Sequence, residues 1–242
     1  MATIATLTED FEGGSNGALL TVGNSSFVDF QGTATATTPT FSTDAYEGSL
    51  AARFLPAGGT IYAYSQFAAT PLVWVSFYIK ITTLPSSNTP IFNFWNGASR
   101  MGDVRLQPGG TLQLRDGFSQ QWVSSALTTG EWHRIAIKVD SGTALRLRAY
   151  SGADLDGSTP TQDSGDIAAS TAGQAVITEF RFGSVSGSSM EYVMDRLRGD
   201  DSAEPAGVSA GATPHWFHDN GAQWGDVTDE VNHDDGSLWV KV

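Results

Sequence analysis

The chain has 242 residues, a formal net charge of −13 and no cysteine. With 11% aromatic and 16% charged residues it has the composition of a folded body, long enough to bury a core as one all-β domain or two smaller ones. The acidic balance argues against a nucleic-acid partner, no run of eighteen apolar residues offers a membrane-spanning helix, and folding does not depend on redox state.

Met1-Ala2-Thr3-Ile4 begins with neither a basic stretch nor an apolar run, so no signal peptide is expected and synthesis in a cytoplasm is the expectation. From there the chain reads as strands. Val73 to Ile81 places Val73, Val75, Phe77, Ile79 and Ile81 on one face. Glu131 to Asp140 sets His133, Ile135, Ile137 and Val139 against Arg134 and Lys138, and Thr143 to Tyr150 alternates Leu145 and Leu147 with Arg146 and Arg148. Val176 to Phe182 and Tyr192 to Arg198 continue the habit. Turn signals separate these runs at Gly58-Gly59, Asn96-Gly97, Gly109-Gly110, Asp116-Gly117, Ser141-Gly142 and Asp156-Gly157. No helical stripe interrupts them. The pattern predicts an all-β, antiparallel β-sandwich or jelly roll over residues 1–200, with one buried and one wetter face per strand.

Residues 201–214 have the small, polar, proline-punctuated composition of a linker. Residues 215–242 form a C-terminal appendage with one phrase twice: His218-Asp219-Asn220-Gly221 before Trp224, and His233-Asp234-Asp235-Gly236 before Trp239. Asn-Gly and Asp-Gly are type I′ hairpin signals, so two small β-hairpins are expected, each Trp opening a return strand. An isolated hairpin is marginal in water, so Trp216, Phe217, Trp224 and Trp239 are expected to dock on another surface. The segment from Asp200 onward is also acidic, with nine acids and one base.

The order of segments carries a resemblance. Asp10-Phe11-Glu12-Gly13 is followed by Glu47-Gly48-Ser49-Leu50-Ala51-Ala52-Arg53-Phe54 and the long strand at Val73. Gly130-Glu131-Trp132-His133-Arg134-Ile135 and Tyr192-Val193-Met194-Asp195-Arg196-Leu197 come later. This succession resembles the concanavalin A-like, laminin G-type lectin/glucanase superfamily over residues 8–199. The resemblance implies two curved antiparallel sheets, and a structural calcium ion held by Glu12 and Asp195 with backbone carbonyls. His133, alternating with apolar residues and with no nucleophile to serve, is expected to be structural.

The repeated tail phrase resembles the ends of structural proteins of tailed bacteriophages, particularly minor tail proteins of phages of actinobacteria. That resemblance implies a virion structural protein made in the host cytoplasm, with other virion proteins and further copies of itself as partners, and host cell-wall glycan as a possible contact. The chain is shorter than many minor tail proteins, which leaves a capsid decoration protein open; a free carbohydrate-binding module is the rival reading.

The sequence offers no catalytic residues. Glycosidases of this fold need paired carboxylates two residues apart on a strand, and none is found; Asp154, Asp156, Asp163 and Asp166 fall in loop-like sequence. His215 and His218 lack further zinc ligands. The expectation is therefore a protein that is not an enzyme. For glycan binding, Trp95 and Trp122 offer stacking surfaces beside amides, and Arg115, with Arg100 and Arg105, comes from neighbouring segments that could line one surface. Whether a groove would be open or filled by the loop from Asp154 to Ile167 is left undecided by the sequence.

Overall fold

The computed structural model describes residues 3, 4, 7–32, 39–55, 61–117, 119–168, 176–184, 190–207, 230–232 and 238–240. In chain order the described strands are β1 (Thr8–Glu9), β2 (Asp29–Gly32), β3 (Thr40–Ser42), β4 (Ala51–Phe54), β5 (Ile61–Thr70), β6 (Leu72–Thr83), β7 (Thr89–Asn96), β8 (Ser99–Leu106) and β9 (Thr111–Asp116). They continue with β10 (Ser119–Ala126), β11 (Trp132–Asp140), β12 (Ala144–Ser151), β13 (Gln162–Asp163), β14 (Ile167–Ala168), β15 (Ile177–Ser184), β16 (Glu191–Asp200), β17 (Glu230–Asn232) and β18 (Leu238–Val240). The chain divides into two compact units, residues 1–207 and 208–242.

The first unit is the expected all-β sandwich. One sheet runs β13-β12-β11-β6-β16-β4-β3, with β1 on β16 and β14 on β12; the other runs β10-β9-β8-β7-β15-β5-β2. Every pairing is antiparallel. Val73, Val75, Phe77, Ile79 and Ile81 of β6 face inward as their alternation predicts, opposed by Phe92 and Phe94 of β7 and by Phe180 and Phe182 of β15. Phe77 meets Phe182 edge-on at 5.6 Å between ring centroids, and Phe92 lies 4.9 and 5.1 Å from Phe180 and Phe182. Such tilted aromatic pairs add to the stabilisation by buried area itself.

The expectation of a wetter outer face fails on the first sheet. Trp74, Ser76 and Tyr78 of β6 are buried as well as their inward neighbours. The cause is a covering formed by the 3₁₀ turn Gly152–Asp154 with the residues after it, and by residues 201–207. The Arg134 guanidinium, itself buried, stacks on Tyr150 at 3.7 Å and donates to the carbonyls of Leu155, Gly157 and Pro205. Asp156 accepts from the hydroxyls of Tyr46 and Tyr78, and Glu204 from Arg148 and Tyr150. Residues 201–207, expected as linker, therefore lie on the sandwich, because Glu204 and Pro205 complete a charged network that would otherwise be buried unpaired. His133 is structural as expected: buried, with Nε2 on the Thr128 carbonyl at 2.9 Å and Nδ1 on the Ser151 hydroxyl at 2.7 Å.

In the second unit β17 and β18 pair antiparallel, with Val231 opposite Trp239 and Asn232 opposite Leu238. This is a hairpin around the second copy of the repeated phrase, with Trp239 in the return strand. The first copy, together with Trp216, Phe217, Trp224, His215 and His218, lies outside the described residues. No helix among the described residues is long and apolar enough to cross a membrane.

Two carboxylates anchor the loop 46–50 to the first and last strands of the sandwich. Asp195 in β16 accepts from the N–H groups of Tyr46, Glu47 and Arg196 at 2.9, 3.1 and 2.7 Å. Glu12 accepts from Ser49 and Leu50 at 2.8 and 3.0 Å, and a side chain at Gly48 would collide with its oxygen. Burial pushes the Asp195 carboxyl up from 3.8 to about 6 against the pull of those N–H groups. Between these values the folded chain keeps a proton that the unfolded chain has lost. The contribution of this group is thus fully present below 3.8 and lost as pH rises through about 6. Asp163 has the opposite sign: its hydrogen bond from Arg146 holds it at about 2, so its contribution is present above 3.8 and lost as pH falls through about 2. The stability advantage of the native chain over Asp195→Asn, measured by chemical denaturation, is expected to shrink between pH 3.8 and about 6 and to level off above; an advantage independent of pH would show that the carboxyl titrates at its ordinary value. Arg134→Met is expected to expose residues 152–157 and 201–207 to faster amide exchange, leaving β5 and β15 unchanged.

Candidate functional site

The face of the second sheet turned away from the core is lined by polar, aromatic and charged side chains from six strands. Pairing register aligns them in rows. Tyr64 of β5 stands opposite Arg181 of β15, which stands opposite Asn93 of β7. Asn93 is opposite Asp103 of β8, Asp103 opposite Arg115 of β9, and Arg115 opposite Gln120 of β10. A neighbouring row holds Gln66, Glu179, Trp95 and Arg100. On the other side Arg105 pairs with Gln113. Arg100 joins this face only because a bulge between Phe94 and Trp95 skips one residue of β8, pairing Phe94 with Gly102 and Trp95 with Arg100.

The chemistry is organised around two carboxylates. Asp103 is completely buried and receives Arg100 at 3.2 Å, Arg105 at 3.2 Å and Arg115 at 3.7 Å. Glu179 accepts from Arg181 Nε and from Gln66 Nε2, the latter at 2.8 Å. The Arg181 guanidinium lies 3.9 Å from the Trp95 ring and 4.6 Å from the Tyr64 ring, bridging aromatics on the two flanking strands. Burial, and after it the neighbouring Tyr64, pushes the Tyr62 hydroxyl up to about 12, so it stays a protonated donor at neutral pH. Burial lowers the Arg115 guanidinium, and Arg105 and Arg100 act in the same direction.

Two neutral side-chain donors of β7 on this face have no partner among the described residues. Asn93 is 1% exposed and its Nδ2 has no hydrogen-bond partner; neither has the buried Nε1 of Trp95. They sit two residues apart on β7, on the same side of the sheet. A buried donor without a partner costs about 1–3 kcal/mol, and both atoms are closed to solvent, so an outside acceptor would reach them only after a neighbouring side chain moves.

The sequence-predicted residues divide. Trp95 and Arg115 share this face, with Arg100 and Arg105 between them. Trp122 does not: it pairs with Leu114 and packs against the core, because a register shift between Gln120 and Trp122 turns it inward. Asp103, Asn93, Tyr64, Glu179 and Arg181 were not singled out by sequence. Their signal was the alternation itself, in Phe92-Asn93-Phe94-Trp95 and Glu179-Phe180-Arg181-Phe182, which marks an outward polar face without saying which strands adjoin. Glu12 and Asp195 do not fit a calcium ion as placed: their oxygens are met by N–H groups where a cation needs oxygens. Among the described residues no three acidic or histidine side chains gather as a metal site.

A second, smaller opening lies on the first sheet beside the covering segments. It has a volume of about 320 Å³ and is lined by Arg134, Arg148, Tyr150, Asp156 and Glu204, whose polar groups already satisfy one another.

No family model matches the sequence, and no curated protein is significantly similar to it. Solved structures share the fold at low identity. A cellulose-induced protein, Cip1, superposes with a TM-score of 0.55 at 14% identity, covering 83% of this chain and 100% of its own. The alginate lyase Aly36B gives 0.53 at 15% identity, with 84% and 100% covered. The binding domain of botulinum neurotoxin serotype D gives 0.52 at 13% identity, with 81% of this chain and 48% of the other covered. The chain thus has the β-sandwich fold of these neighbours, which among them serves a lyase and a binding domain. That finding corrects the expectation that the chain is not an enzyme. A lyase stands on a similar sandwich, so the lack of paired carboxylates in the sequence does not argue against catalysis.

Because Asn93 Nδ2 contributes nothing to the fold, Asn93→Leu is expected to leave thermal stability unchanged or raise it, by up to about 1 kcal/mol; a large loss in the melting temperature would show that the amide is structural.

Proposed function

We propose that the chain recognises a polysaccharide along the outer face of the second sheet. The observation that carries this reading is the half-buried Trp95 ring, stacked by Arg181 and set beside Arg100, Arg105 and Arg115, whose side chains are partly exposed on the same face. Sugar hydroxyls are acceptors as well as donors, and sugar rings lie well on aromatic side chains, so the face offers the two elements a glycan needs. The fold gives the reading further support: a variant of the alginate lyase with an alginate trisaccharide bound superposes with a TM-score of 0.54. Trp95 and Arg115 contact the ligand in this reading, with Asn93 packed beneath them, while Arg181 and Glu179 hold Trp95 in place. The virion role suggested by the repeated tail phrase stands apart from this proposal. It rests on residues that lie mostly outside the described ones, and none of the three neighbours named above is a virion protein.

Calorimetry against a panel of soluble polysaccharides should find at least one ligand. Trp95→Ala should weaken it about tenfold or more, equivalent to ~1.4 kcal/mol, while Trp122→Phe leaves affinity unchanged. Failure to bind any glycan would overturn the proposal. Incubation with alginate and measurement of unsaturated uronate ends then decides whether binding is accompanied by elimination.

A further inference from the structure

The outer face of the first sheet holds a cradle for a carboxylate, and the chain occupies it with one of its own. Pairing register sets Arg134 of β11 opposite Tyr150 of β12, with Arg148 two residues before Tyr150 and so on the same face. The Glu204 carboxylate lies across all three. One oxygen accepts from the Tyr150 hydroxyl and stands 3.8 Å from Arg134 Nη1; the other accepts from Arg148 Nη1. Burial, and after it the bond to Glu204, pushes the Tyr150 hydroxyl up to about 12, so it remains a donor at neutral pH. Two guanidiniums and a phenol around both oxygens form a recognition set for a carboxylate.

The cradle is built without the segment that occupies it. Arg134 donates to the carbonyls of Leu155 and Gly157 at 3.1 and 2.6 Å and stacks on Tyr150, while Arg148 donates to Asp163 at 3.2 Å. None of these partners belongs to residues 201–207, so both guanidiniums keep their positions if that segment leaves. The segment itself is lightly held. Asp201, Ser202, Ala203 and Ala206 are exposed, and the strands grip it through the Glu204 carboxylate and through Arg134 Nη1 on the Pro205 carbonyl at 3.2 Å. A few charge-assisted bonds are largely offset by the conformational entropy lost in ordering an exposed stretch of chain. Beside Glu204 a cavity of about 320 Å³ opens, lined also by Asp156, Gly157 and Ser158. That volume lies at the lower end for small-molecule sites. The Asp156 carboxylate and the Gly157 carbonyl each have lone pairs beyond the bonds they already accept, which suits a ligand bearing hydroxyl donors.

We propose that this is a binding site for a small polyhydroxy carboxylate, a hexuronic or aldonic acid, with Glu204 as its built-in occupant. The ligand carboxylate takes the place of Glu204 on Arg134, Arg148 and Tyr150, and its hydroxyls reach Asp156 and the Gly157 carbonyl. Residues 201–207 then leave the sheet, which frees the stretch of chain that leads on to residue 208. The site is independent of the glycan reading of the second sheet.

Glucuronate and gluconate are titrated calorimetrically into the full-length protein, with glucose and the methyl ester of glucuronate as uncharged controls. Competition by Glu204 lowers the apparent affinity by the fraction of chains whose cradle is open, so Glu204→Ala should bind at least one acid about tenfold or more tightly than the native chain. Neither control should bind. Adding Arg148→Gln to Glu204→Ala should cancel the gain, whereas adding Trp95→Ala on the other sheet should leave it. In the native chain a saturating acid should speed amide exchange at residues 203–207 and leave β5 and β15 unchanged. Glu204→Gln, which keeps the size of the side chain, should show the same order of affinities if Glu204→Ala disturbs the fold. Equal affinity of the native chain and the Glu204 variants, controls that bind as tightly as the acids, or acid binding without faster exchange at 203–207 each overturns the proposal. So does the failure of both acids to bind a folded Glu204 variant.

Discussion

Phe77 of one sheet packs edge-on against Phe182 of the other, and Phe92 is held between Phe77, Phe180 and Phe182. This contact decides what the rest of the molecule can do. A strand has a side-chain period of two, so once Phe92 and Phe94 point inward, Asn93 and Trp95 must point outward. The same constraint, set by Phe180 and Phe182, sends Arg181 between them and Glu179 before them outward. A one-residue slip of either strand would bury the charges and expose the phenylalanines, which the apolar contact makes costly. The binding face is thus the outer surface of a register that the core enforces.

The two outer faces of the sandwich use their polar residues differently. On the first sheet the charges are internally closed: Arg134 spends its donors on three carbonyls from two chain segments, and Glu204 and Asp156 answer the arginine and tyrosines beneath them. That network anchors the covering segments. On the second sheet Arg100, Arg105 and Arg115 meet at Asp103, and two donors on β7 have no partner among the described residues. Closed networks rigidify a fold, whereas unsatisfied ones cost stability and are retained where a ligand completes them.

The strands of this chain were legible because alternation in β6, β11 and β15 is strict and the intervening turns carry glycine. His133 could be assigned a structural role from the same pattern. Other residues misled for identifiable reasons. Trp122 looks like Trp95, an aromatic beside amides, yet a register shift two residues before Val123 turns it to the core, and register shifts leave no trace in composition. Arg100 differs in parity from Asp103 and reaches the same face through a bulge in the β7–β8 pairing. Glu12 and Asp195 were expected together as ligands of a calcium ion, and in the structure both accept from N–H groups of loop 46–50. A carboxylate in sequence does not announce whether a cation or an amide faces it.

Sequence by itself determined the fold class, the inward residues of β6 and β12 and the presence of an acidic, tryptophan-bearing C-terminal segment, because these depend on local periodicity and composition. It also supplied ten arginines without saying where they meet. Only the tertiary structure decided that Tyr64, Arg181, Asn93, Asp103, Arg115 and Gln120 form one row, since the strand order β5-β15-β7-β8-β9-β10 places β15 between two strands that precede it in the chain by many residues. The physical reason is that cross-strand neighbours are chosen by sheet topology, a long-range property, whereas the side of the sheet on which a residue stands is set by its immediate neighbours.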